Sequence, residues 1–154
     1  MHFSAITALT ALVASAAAAP SSNDARQAQP IGVNWPVVGF TEGCSPGGCI
    51  ANYQVSAPAG YLKGAPGFNV TCSPIYIQKG WVDCVPNGDG SASAADGSLV
   101  QAVWYGAENR DDILVTVAHI WTQGIQRTNA TAWKAIQPPQ SDFDVPVMQI
   151  SAVV

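Results

Sequence analysis

Positive charge is the scarcest property of this chain: six Lys and Arg stand against ten Asp and Glu in 154 residues, a formal net charge of −4. The basic residues do not cluster, so no electropositive stripe exists to neutralise phosphates, which argues against a nucleic-acid partner. The same scarcity leaves no polybasic patch for anionic lipid. The apolar run near the start, Phe3–Val13, is too short for a spanning helix, so no membrane insertion is expected. Helical periodicity never exceeds a turn or two, and no Gly-x-Ser-x-Gly nucleophile elbow occurs. Past the first residues the chain has a single histidine, His119. No stretch follows the Ca²⁺-loop pattern in full, and the spacing of the four cysteines is not that of a zinc site. No metal and no cofactor are expected.

What is present begins with a leader. His2, the apolar Phe3–Val13 and the small-residue run Ala14–Ala19 read as a secretory signal peptide over residues 1–19. Residues 20–30 are polar without apolar period and read as a flexible arm or pro-segment. Residues 31–154 then form one β domain, long enough to bury a core. The expected location is extracellular, where cysteines oxidise.

From Ile31 onward short apolar or alternating runs are separated by turn chemistry such as Ser-Pro-Gly-Gly, Ala-Pro-Ala-Gly and Gln-Pro-Pro-Gln. The pattern predicts strands over 32–40, 50–57, 67–73, 75–78, 81–85, 98–106, 111–123, 130–136 and 144–153. So many short strands in so short a chain predict an all-β fold, a small antiparallel β-barrel or sandwich with two disulfides. In 113–121 both alternating faces are largely apolar, which predicts a central strand. Ser91–Gly97 is low in complexity and reads as a flexible loop.

Four cysteines permit three connectivities, and alternation chooses among them. Cys72 shares a face with Phe68 and Val70, and Cys84 shares one with Val82, so both thiols point inward from neighbouring strands. Cys72–Cys84 is the expected bridge, leaving Cys44–Cys49 to close the Ser-Pro-Gly-Gly loop.

Chemistry is harder to find. His119 lies between Val117 and Trp121 on an apolar face, where a satisfied core histidine is the favoured reading over a general base. The close pairs Asp111-Asp112 and Asp142-x-Asp144 sit in turns or at strand starts, where Asp commonly caps backbone amides. Asn87-Gly88-Asp89-Gly90 reads as a turn. Two sequons, at Asn69 and Asn129, are candidate N-glycosylation sites. Of the five tryptophans, Trp35 and Trp133 stand beside polar or turn residues and are the candidates for a surface that stacks on sugar rings.

Phe68-Asn69-Val70-Thr71-Cys72 followed by Trp81-Val82-Asp83-Cys84 and then 113–121 resembles small secreted proteins of filamentous fungi, the Alternaria major-allergen-like family and related hypersensitive-response elicitors. In that family a Phe-x-x-x-Cys strand is cross-linked to an aromatic-x-x-Cys strand. Cys44-Ser-Pro-Gly-Gly-Cys49 departs from the family pattern, whose second bridge usually lies later in the chain. The resemblance implies a compact β-barrel or sandwich, often a homodimer, without demonstrated catalysis in most members. It implies recognition by a plant host receptor or defence protein, with defence responses or cell death as the outcome. The alternatives are a binding module for cell-wall glycan or a small apolar ligand, and a small secreted hydrolase using His119 with Asp111 or Asp112.

Overall fold

The computed structural model describes residues 29–76, 80–88, 97–106 and 112–154. The leader, most of the arm, nearly all of Ser91–Gly97 and Asp111 lie outside the described residues. Nine strands are described: β1 Asn34–Ser45, β2 Gly48–Ala57, β3 Phe68–Cys72, β4 Val82–Asp83, β5 Val85–Pro86, β6 Leu99–Gly106, β7 Ile113–Gln123, β8 Gln126–Ile136 and β9 Phe143–Val153. Their order in the sheet is β4-β6-β7-β8-β9-β1-β2-β3-β5, antiparallel throughout. The two ends of that order are neighbours in sequence. Val82–Asp83 pairs with β6 and Val85–Pro86 with β3, so one short segment changes partners and nearly closes the sheet into a barrel. Between its two halves Cys84 donates its N–H to Val100 O at 2.9 Å and is bonded to Cys72. The second disulfide joins Cys44 and Cys49, which face each other in the β1–β2 register. Both bridges are those expected.

Period-two alternation builds the core, because successive strand residues point to opposite faces. Ala102, Val117, Ala132 and Val147 form one inward row across four strands, all fully buried. Trp104 and Trp121 are buried in the same core. On β7 the outward Thr116 and Ala118 are buried as well, so the strand is central, as its sequence predicts.

The strand expected over 81–85 is split into β4 and β5, and the bounds differ from the sequence reading at three further places. The turn between β1 and β2 is only Pro46-Gly47, so β1 runs five residues past Phe40, to Ser45. Gly39, at φ +65°, lies at the register shift between Val38 and Thr41, and its N–H is taken by the Asp142 carboxylate at 2.9 Å. β8 begins at Gln126 because Gly124, at φ +62°, supplies the first central position of a two-residue hairpin turn. The expected strand over 75–78 is reduced, among the described residues, to a single bridge between Ile75 and Ile50.

Candidate functional site

One mouth of the barrel carries the only described histidine. β7 turns His119 inward, and it is 0 % exposed. Its Nε2 lies 2.7 Å from Ser98 Oγ, just before β6, and its Nδ1 lies 2.7 Å from the Tyr61 hydroxyl. Tyr61 belongs to the β2–β3 connection, residues 58–67, which folds onto itself through Tyr61 N–H to Pro58 O and Ala65 N–H to Leu62 O. Aromatic rings complete the wall: Phe68 and Trp121 lie 4.6 and 5.0 Å from the imidazole, and Trp35 meets Tyr61 edge-on at 5.7 Å. The connection thus plugs the mouth with Tyr61 as its stopper.

Burial fixes the electrostatics of this cluster. Desolvation lowers the His119 pKa to about 4, and it pushes the Tyr61 phenol up. Both are therefore neutral at pH 7. A neutral imidazole has one donor and one acceptor, so one hydroxyl donates to the ring and the other accepts from it. Ser98 and His119 have the spacing of a nucleophile and its base. The third partner, however, is a phenol in place of a carboxylate, and a base of pKa about 4 is a weak proton acceptor at neutrality. Neither Ser98 nor Tyr61 was visible as a partner in the sequence, because 21 and 58 residues separate them from His119.

The other sequence candidates are dispersed. Trp35 is not a surface residue: it is 0 % exposed, packed edge-on against Phe68 at 5.2 Å. The signal was available, since Asn34-Trp35-Pro36-Val37 alternates out and in. Trp133 is half-buried on the outer face, opposite Thr116. Trp81, not singled out from the sequence, is more open at 41 %. Asn69 is exposed on β3 and accepts from Asn87 Nδ2 at 3.1 Å, while Thr71 Oγ1 donates to Asn87 Oδ1 at 2.6 Å. Asn129 is half-buried on β8. Asp142 caps the Gly39 amide, which is the turn role its position suggested. Among the described residues no three His, Cys, Asp or Glu side chains gather as a metal site. At the opposite mouth Phe40, Thr41, Glu42 and residues 138–141 line an open cleft of about 400 Å³. Comparison of the chain with protein-family models, with curated proteins and with solved structures finds no match.

Proposed function

We propose that the chain is a secreted fungal protein that acts through its surface, and that a plant host receptor or defence protein recognises it and triggers defence responses or cell death. The observation that supports this reading is the placement of the Ser98–His119–Tyr61 cluster, in which Ser98 and His119 are buried beneath a partly buried Tyr61 that packs over the mouth of the barrel. Two disulfides in so small a domain favour an oxidising, extracellular setting. The fungal source and the plant host come from the resemblance of the Phe68–Cys72 and Trp81–Cys84 strands to the elicitor family.

The test is infiltration of the oxidised chain from Ser21 to Val154 into leaf tissue, scoring ion leakage and oxidative burst beside a reduced, alkylated control. The expected result is a response to the folded protein alone. An equal response to the alkylated chain, or a hydrolytic activity that disappears in His119→Ala, overturns the reading. The exposed rings of Trp81, Tyr76 and Tyr105 favour a second one, a module that binds neutral cell-wall glycan. Retention on insoluble chitin, β-glucan or cellulose separates the two.

A further inference from the structure

Among the described residues, the C-terminal half of β9 leaves an open edge in the barrel wall. β9 pairs with β1 only over Phe143–Pro146, and the last links on that side are Ile31 N–H to Val147 O at 2.9 Å and Val147 N–H to Val33 O at 2.8 Å. Beyond them β9 stays paired with β8 as far as Val153. The other edge of Met148–Val153 has no backbone partner among the described residues. Unpaired amides and carbonyls in a row are a template for another strand, and proteins usually blunt such an edge with charge or proline. Met148–Val153 contains neither.

The side chains around the edge are equally open. Ile150 and Val153 are 40 % and 64 % exposed, and Ile31 and Ile125 are exposed at its two ends. Beside the outward face lies a groove of about 280 Å³ lined by Ile120, Arg127, Asn129, Ser151 and Val153. Arg127 stands opposite Val153 in the β8–β9 register and has no carboxylate partner among the described residues.

We infer that this edge accepts an extended segment of another protein, added as a further strand along Met148–Val153, with an acidic side chain on its outward face reaching Arg127. Main-chain hydrogen bonds supply the affinity of such an addition and alternate side chains its specificity. The guanidinium fork matches a carboxylate in two parallel hydrogen bonds. A second copy of the chain fits less well, because its own Met148–Val153 carries no acid and self-pairing leaves Arg127 unanswered. The inference stands apart from the plant-recognition reading, since it is tested on purified components.

The test titrates the oxidised, isotope-labelled chain with a short capped peptide of alternating threonine and valine carrying one central glutamate, and with the same peptide carrying lysine instead. The glutamate peptide should shift the amides of Gln149–Val153 and bind about tenfold tighter than the lysine peptide. Arg127→Gln should abolish that difference and Arg127→Glu should reverse it; both changes lie on an exposed position, and circular dichroism checks the fold. Equal binding of the two peptides, no binding, or shifts confined to other strands overturns the inference. So does concentration-dependent protection of the same amides without peptide, which would give the edge to a second copy. Protection in the chain from Ser21 that is lost in the chain from Gln29 would give it to the protein's own N-terminal segment.

Discussion

A histidine with both ring nitrogens bonded to hydroxyls inside an aromatic wall is held neutral, and that makes it a weakness in acid. The folded pKa of about 4 lies below the 6.5 of an exposed histidine. Below pH 6.5 the unfolded chain therefore binds a proton that the folded chain does not, and stability falls as pH falls. The contribution is complete above 6.5, declines at about 1.4 kcal/mol per pH unit, and levels off near the folded pKa. Between pH 7.5 and 5 the loss should be about 2 kcal/mol. Urea unfolding at those two pH values measures it, with His119→Gln as the non-titrating control. A wild-type midpoint that does not move relative to the variant would mean that the imidazole is more open to water than its packing indicates. The same protonation weakens the Tyr61 stopper, because among the described residues the ring's partners are hydroxyls and aromatic rings, with no carboxylate to stabilise an imidazolium.

Among the elements, the segment from Val82 to Pro86 carries the closure. Two residues pair with β6, two with β3, and Cys84 between them is tied to Cys72. So short a strand cannot hold by its ladder alone. The disulfide compensates, and because both of its cysteines are buried, removing it also opens a void in the core. The paired change Cys72→Ala with Cys84→Ala should cost about 3 kcal/mol or more. Cys44→Ala with Cys49→Ala, at the exposed end of the β1–β2 hairpin, should cost about 2 kcal/mol. Urea unfolding of the two double variants ranks them, and equal losses would place the seam's strength elsewhere than in its bridge. Dithiothreitol titration with peptide mapping should likewise open Cys44–Cys49 first, since Cys44 is exposed and Cys72 is not. The inward alternation of Phe68, Val70 and Cys72 made the second bridge legible in the sequence. The change of partner at Cys84 was not, because Trp81–Val85 carries the pattern of one continuous strand and nothing local says which neighbour each half will choose.

For the whole molecule, the all-β class and the central place of β7 could be read from alternation alone. The order of strands could not, since antiparallel partners such as β9 and β1 are about as far apart in sequence as the domain allows. The candidate site was legible only by its centre: His119 announced its inward face, whereas Ser98 and Tyr61 reach it through closure of the barrel. Trp35 shows the opposite error, a core residue taken for surface because Asn34 and Pro36 flank it. Closure sorts all five tryptophans, and the sorting can be measured. Trp35, Trp104 and Trp121 are buried, Trp133 is half-buried, and Trp81 is exposed. Acrylamide should therefore quench a minor fraction of the emission of the oxidised chain, and Trp81→Phe should remove most of that fraction. Trp35→Phe should leave the quenchable fraction intact while costing about 2 kcal/mol of stability, through the edge-on packing lost against Phe68 and Tyr61. If a cell-wall glycan binds through the exposed rings, it will shield the Trp81 fraction and leave the buried emission unchanged. Uniform quenching of all five would contradict a closed barrel.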